Sequence, residues 1–174
     1  MKLVLGVYDQ KPHPFHYRWI DDSWTLSDID PRFPNVVKVD ARAIPYTDLE
    51  AIYASHIVEH IAIEEVPKML SHWYDVLTPG GYIVINVPDM EWLAKEILNG
   101  ETFGEYSSEY FNSISKLMYV IYGPGEGFDQ HKSGFTKSTL FNLLTDAGFT
   151  DVGIDQEIEA HEMGCLIATA KKPI

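Results

Sequence analysis

The sequence predicts an α/β domain built on a mostly parallel β-sheet. Two observations predict it. Short apolar runs of strand length alternate with longer segments of helical periodicity, the pattern that strand–helix–strand units leave in a sequence. The chain has 174 residues, 45% of them hydrophobic and 13% aromatic. That is the size of one domain with one core, and apolar enough to fill it.

Leu3-Val4-Leu5 reads as the first strand, ended by Gly6. Met1 to Gly6 has too few apolar residues for a signal peptide, whose apolar region needs about 7–15. Asp9 to Asp22 is rich in Pro, His and aromatic residues, and Pro12 and Pro14 argue against a long helix there. Trp24 to Ser27 is a second strand, ending at Asp28, and Val36 to Val39 a third, ending at Asp40. Ala51 to Ser55 is a fourth. Tyr82 to Val87 is a fifth, reached through Pro79-Gly80-Gly81 and closed by Pro88.

Between the fourth and fifth strands, Glu64 to Leu77 places Val66, Met69, Leu70, Trp73, Tyr74 and Leu77 at helical spacing. Glu64 and Glu65 sit at its electropositive N-terminal end, and His72 is expected on its surface. A later helix runs from Thr136, a good N-cap, to Ala147. Leu140, Leu143 and Leu144 form its buried stripe and Gly148 stops it. Phe149 to Ile158 and Gly164 to Ala170 complete seven strands, the last antiparallel to its neighbours. Residues 90–130 form an insertion, with Met90–Leu98 and Glu105–Tyr122 helical and a loop at Tyr122 to Gly127. Its position after the fifth strand suits either a cover for a ligand or a packing elaboration.

The formal net charge is −13 with Lys and Arg scattered along the chain. That repels phosphate backbones and argues against nucleic acid or an anionic membrane surface as partner. No apolar run approaches the roughly 18 residues of a membrane helix. Cys165 is the sole cysteine, which excludes an intrachain disulfide and a multi-cysteine metal site. A cytoplasmic compartment fits these features.

In an open parallel sheet, ligands bind beyond the carboxyl ends of the strands, where the strand order reverses. The residues there are Gly6, Asp28, Asp40, Ser55-His56 and Asn86 to Asp89. A carboxylate ending the second strand can accept both ribose hydroxyls, which nominates Asp28, then Asp30. Asp28-Ile29-Asp30-Pro31 equally fits a turn capping its own backbone. None of the 7 histidines makes a pair with convincing metal-ligand spacing. His56 and His60 lie one helical turn apart with no third ligand in view, so no metal is assigned. No Gly-x-Ser-x-Gly elbow or phosphate-binding P-loop exists. A glycine-rich dinucleotide turn is also missing after the first strand, which argues against nicotinamide chemistry.

Three blocks carry a family resemblance. Tyr53-Ala54-Ser55-His56-Ile57-Val58-Glu59-His60-Ile61 resembles the YASHVLEH segment of class I S-adenosylmethionine-dependent methyltransferases. Leu77-Thr78-Pro79-Gly80-Gly81 through Val87-Pro88-Asp89 is similar to their LKPGGxLxIxVPD. Asp40 to Tyr46 resembles their DxxxLPF. Trp24 to Asp28, His131 to Thr136 and Leu144 to Phe149 extend the match to a short subgroup associated with surface-sugar genes.

The resemblance implies a Rossmann-like class I methyltransferase sandwich with helices on both faces, spanning 1–174 as one domain. It implies S-adenosylmethionine as methyl donor. Gly6 would lie under the methionine part, Asp28 would hold the ribose, and Ile29 would pack on the adenine. Asp40 and Ala41 would flank the adenine, and Ser55 and His56 would line the cleft. One departure stands out. The family's Gly-x-Gly-x-Gly loop is here Gly6, Tyr8 and Gln10, and the last two cannot admit a ligand to the backbone as glycine does.

Methyl transfer to an oxygen nucleophile needs a base, for which histidine is suited near neutral pH. His131, which ends the insertion, is the first candidate, His56 the second and Asp89 the third. His60 is read as structural, holding the start of its helix. The acceptor is expected to be a small polar molecule or sugar hydroxyl. The altered first loop also fits a non-catalytic binder on the same fold. His13 to Trp24 suits a recognition loop, a homodimer contact or plain packing.

Overall fold

The structure is a computed structural model of the chain, and it describes residues 1–7, 19–99, 121–123, 129–158 and 164–174. Seven strands form one sheet: β1 (Lys2–Leu5), β2 (Trp24–Asp28), β3 (Val37–Lys38), β4 (Leu49–Ser55), β5 (Leu77–Pro88), β6 (Thr150–Ile158) and β7 (Gly164–Lys171). Their order is β3-β2-β1-β4-β5-β7-β6. The pairs β1–β2, β1–β4, β2–β3 and β4–β5 are parallel, while β7 runs antiparallel to both β5 and β6. The chain therefore turns from β1 toward β2 on one side and reaches β4 on the other, so the order reverses between β1 and β4.

Strand alternation sorts the core onto two faces. Leu3, Leu5, Ile52, Ala54, Ile83, Ile85, Leu166 and Ala168 meet helices α1 (Val66–Val76) and α3 (Lys137–Asp146) on one face. Val4, Tyr53, Val84 and Ile167 face the other side with Ile20 and Trp24. Helix α2 (Met90–Leu98) buries Leu93 against Cys165, which alternates with Leu166 and so lies on that second face. Burial on both sides explains why β4, β5 and β7 read as near-continuous apolar runs.

Local chemistry sets the helix ends. α1 has proline in its first turn, where no N–H partner is lost. It buries Val66, Met69, Leu70, Trp73 and Val76 at helical spacing. α3 is opened by a reciprocal cap in which Thr136 accepts from the Thr139 N–H at 3.2 Å and donates its own N–H to Thr139 Oγ1 at 2.9 Å. The C-terminus of α1 is capped from a distance. Lys172 Nζ donates to the carbonyls of Tyr74 and Leu77 at 2.9 and 2.7 Å, where an ammonium also complements the helix dipole. Lys172→Met should lower unfolding stability by about 1–2 kcal/mol, read from urea titration. An unchanged midpoint would refute the capping role.

The structure revises several sequence expectations. The third strand shrinks to Val37–Lys38, and the Val39 N–H donates the closing bond of its short parallel ladder to the Asp28 carbonyl at 2.8 Å. Leu77 opens β5 rather than closing α1. The strand begins before the Pro-Gly-Gly turn, and the β4–β5 register shifts between Leu49 and Ala51. His72 is half-buried rather than superficial, with Nε2 3.2 Å from the Ile44 carbonyl oxygen. Among the described residues, no helix is long and apolar enough to cross a membrane. The expected helix Glu105–Tyr122 falls mostly outside the described residues, as do Tyr8 and Gln10.

Candidate functional site

The carboxyl ends of β1 and β4 meet where the strand order reverses. Gly6 follows β1 at φ +74°, and a Cβ placed on it would lie 1.9 Å from Ile57 Cδ1. The space that glycine leaves is therefore taken by Ile57, next to His56. His56 follows β4 at φ +53°, an uncommon conformation for a side chain with a Cβ. Its N–H donates to the Asn86 carbonyl at 2.9 Å, and Asn86 Nδ2 donates to Ser55 Oγ at 3.3 Å. β5 thus holds the Ser55-His56 corner from the side.

Glu59 is the centre of the site. It sits in a single 3₁₀ turn, Val58–His60, with only 1% of its side chain exposed. Its Oε1 lies 2.8 Å from His56 Nδ1. A buried carboxylate needs such a partner, because desolvation otherwise drives it neutral. Burial does push the Glu59 pKa upward. The His56 hydrogen bond and the positive potential of His56, His60 and His131 outweigh it, so the carboxyl is held below its ordinary value. Glu59 Oε2 is also buried and has no hydrogen-bond partner among the described residues.

The segment 131–135 closes over this turn. The N–H groups of Lys132 and Ser133 both donate to the Glu59 carbonyl, at 2.7 and 3.0 Å, and Ser133 Oγ donates to the Val58 carbonyl at 3.2 Å. Phe135, fully buried, bridges to Asp89. The His131 N–H donates to the Tyr122 carbonyl at 3.0 Å. Gly123 makes that approach possible: a Cβ there would fall 2.2 Å from the Asp129 oxygen and 2.9 Å from His131 Cδ2, and its φ is +79°. The His60 and His131 rings meet edge-on with centroids 4.8 Å apart. His60 Nδ1 is 3.3 Å from the Gln130 carbonyl oxygen. A cavity of about 300 Å³ opens beside them, lined by Glu59, Met90, Tyr122, His131, Lys132 and Ser133 among others.

The expected site residues fall into distinct settings. Asp28 ends β2 half-buried. Its Oδ1 accepts the Asp30 N–H at 2.8 Å, so the turn-capping role is realised, and nothing among the described residues engages Oδ2. Ile29 beside it is half-buried. Asp40 is clamped by Arg42, with Nε and Nη2 at 3.0 and 2.7 Å from its two oxygens. That hydrogen-bonded guanidinium holds the Asp40 carboxyl below the usual carboxylate range. The Ala41 carbonyl accepts from Trp73 Nε1 at 2.7 Å, which fixes the same loop to α1. Asp89 is the N-cap of α2. One oxygen accepts the Glu91 N–H at 2.8 Å and the other accepts from Gln156 Nε2, so both are committed to structure.

His56 and His131 are both brought near Glu59, His56 by a direct bond and His131 with a ring nitrogen within 4.8 Å of the carboxylate. His60, expected to hold the start of a helix, instead faces the 130–131 segment. Glu59 was not among the residues that spacing singled out. Its signal is a lone acid beside His60 with apolar residues on both sides, Ile57-Val58-Glu59-His60-Ile61.

The methyltransferase domain family matches residues 21–85, a span from the approach to β2 into β5. No curated protein matches the chain. Among solved structures it is similar to a SAM-dependent methyltransferase from Methanosarcina mazei, with 14% identity, TM-score 0.60, and 99% of this chain and 92% of that one covered. It is also similar to Haemonchus contortus phosphoethanolamine N-methyltransferase 2 in complex with phosphomonomethylethanolamine and S-adenosylhomocysteine, with 13% identity and TM-score 0.60, covering 100% of this chain and 50% of that one. A third is a SAM-dependent methyltransferase from Archaeoglobus fulgidus, at 21% identity and TM-score 0.55, covering 84% of this chain and 74% of that one. The share of the other chain's length that this chain spans differs among the matched structures, being 36% for one and 92% for another. With its strand order, its single reversed strand and the match over residues 21–85, the chain has the Rossmann-like methyltransferase fold.

Proposed function

We propose that the chain transfers a methyl group from S-adenosylmethionine to a small polar or sugar-type acceptor. The observation that carries this reading is that Gly6, Asp28 and the His56–Glu59 pair follow the strand ends around the point where the strand order reverses, and that Glu59 also lines the 300 Å³ cavity. Asp28 fits a ribose, because its Oδ2 is not engaged within the described chain. Ser55 and His56 then line the donor cleft, and Ile29 and Ala41 flank the adenine side. Asp40 fits that side less directly, since Arg42 already occupies its carboxylate. The donor supplies an activated sulfonium methyl, so the protein has to position the acceptor, exclude water and remove a proton.

His56 is the proposed proton acceptor. Glu59 bonds Nδ1, which fixes the tautomer with Nε2 as the base and stabilises the imidazolium that forms. His131 and Lys132 line the cavity and orient the acceptor. The net charge of −13 and the cavity size both favour a small acceptor over a nucleic acid.

Calorimetry with S-adenosylmethionine tests the donor assignment. Binding is expected, and Asp28→Ala should weaken it by about 10–150-fold, the worth of a lost charge-assisted hydrogen bond of about 1.5–3 kcal/mol. A well-folded sample that shows no binding at millimolar donor would overturn the enzyme reading. Unchanged affinity in the variant would overturn the ribose role.

A further inference from the structure

The geometry points to a divalent metal site, of the zinc class, formed by Glu59, His60 and His131. These residues come from two separate parts of the chain, the 3₁₀ turn after β4 and the segment after Gly123. Each offers one ligand atom, and the three atoms lie within 4.8 Å of one another. Around a tetrahedral zinc with bonds of about 2.0–2.2 Å, neighbouring ligand atoms sit about 3.4 Å apart. Binding therefore needs a contraction of up to about 1.4 Å, which rotations of the two half-exposed imidazoles supply.

A second observation points to a ligand independently of that clustering. Glu59 Oε2 is buried and has no hydrogen-bond partner among the described residues, on a side chain only 1% exposed, while Oε1 is taken by His56. A buried ionised oxygen with nothing bound to it is an expensive arrangement. A cation held with the His60 and His131 nitrogens gives that oxygen its partner. The surroundings have the character of an outer shell. The Gln130 carbonyl at His60 Nδ1 leaves Nε2 as the ligand nitrogen, and the His56 ring steadies the carboxylate from its other oxygen.

Two imidazoles and one carboxylate are a donor set suited to zinc, and to divalent iron or cobalt. Three protein ligands leave one position open. Glu59 and His131 both line the cavity, so the open position faces the volume where an oxygen-bearing ligand would enter. The site stands on these residues alone and does not require that the chain bind S-adenosylmethionine.

The test uses the full chain, stripped of metal by chelation and dialysed. Zinc chloride is titrated by calorimetry and cobalt chloride by visible absorption. One equivalent of each is expected to bind, with the visible bands of cobalt in a low-coordinate nitrogen–oxygen site. His60→Ala and His131→Ala should each weaken binding by more than the roughly 100-fold that loss of an outer-shell partner costs. His72→Ala, on α1, should leave it unchanged. Both ligand variants alter half-exposed side chains, and their thermal unfolding is followed in parallel to show that they fold. Absence of saturable one-to-one binding would overturn the site, as would wild-type affinity in the two ligand variants. A chain that binds cobalt but not S-adenosylmethionine would keep this site and refute the donor assignment.

Discussion

Replacing His56 with Asn should lower kcat by about 10²–10⁴-fold, the usual worth of a positioned general base, while S-adenosylmethionine affinity stays within a few-fold. Asparagine is the informative substitution because His56 sits at φ +53°, a region that asparagine tolerates better than alanine does. The corner after β4 then keeps its backbone bond to Asn86, and the asparagine amide can still donate to Glu59. What is lost is the ability to take a proton. The measurement is the split between donor affinity by calorimetry and kcat with the acceptor that supports turnover. A variant with wild-type kcat would remove His56 from the proton-transfer role. A parallel collapse of donor affinity and folding would reassign it to holding the corner.

The site was only half legible in the sequence, and the reason is geometric. His56 and His60 look like a helical pair because they are four residues apart, and on a helix they would share a face. The chain does not form that helix. His56 takes a positive φ and the next turn is 3₁₀. Glu59 is thereby turned inward and bonded to His56, a placement that no helical periodicity describes. The third histidine, His131, arrives through a loop closure that depends on Gly123 and on two N–H groups shared by the Glu59 carbonyl. Long-range backbone stitching of this kind leaves no spacing signature. Asp89 has a second reading for a related reason: a carboxylate just after a strand and just before a helix is also where an N-cap belongs, and here it caps.

The fold was more legible because burial on both sheet faces writes itself into the strands. β4, β5 and β7 are apolar runs that no surface segment would tolerate, and Gly148 and Thr136 mark the ends of α3. The edge strand β3 was overextended. Val36 and Val39 are buried as flanking residues rather than as members of the ladder, and apolar content alone cannot separate the two. The strand that opens β5 was missed because Pro79-Gly80-Gly81 reads as a boundary. In the structure it is an irregularity inside a paired strand.

Gly6→Ala should destabilise the fold by about 2–5 kcal/mol. The first part, about 1–2 kcal/mol, comes from forcing a Cβ into the left-handed region at φ +74°. The second, about 1–3 kcal/mol, comes from overpacking, since the new methyl would fall 1.9 Å from Ile57 Cδ1 and 2.6 Å from Ile57 Cγ1. Those atoms are removed in Ile57→Ala. In that background Gly6→Ala should cost only the backbone part, so a double-mutant cycle by urea unfolding should show a coupling of about 1–3 kcal/mol. Equal cost in both backgrounds would show that Ile57 is not what requires the glycine. The same four proteins separate two roles for Gly6. If the glycine serves the site by letting Ile57 seat and so placing His56 after it, the double variant recovers donor binding relative to Gly6→Ala. If the glycine is needed because the donor itself approaches its backbone, stability recovers in the double variant and donor affinity does not.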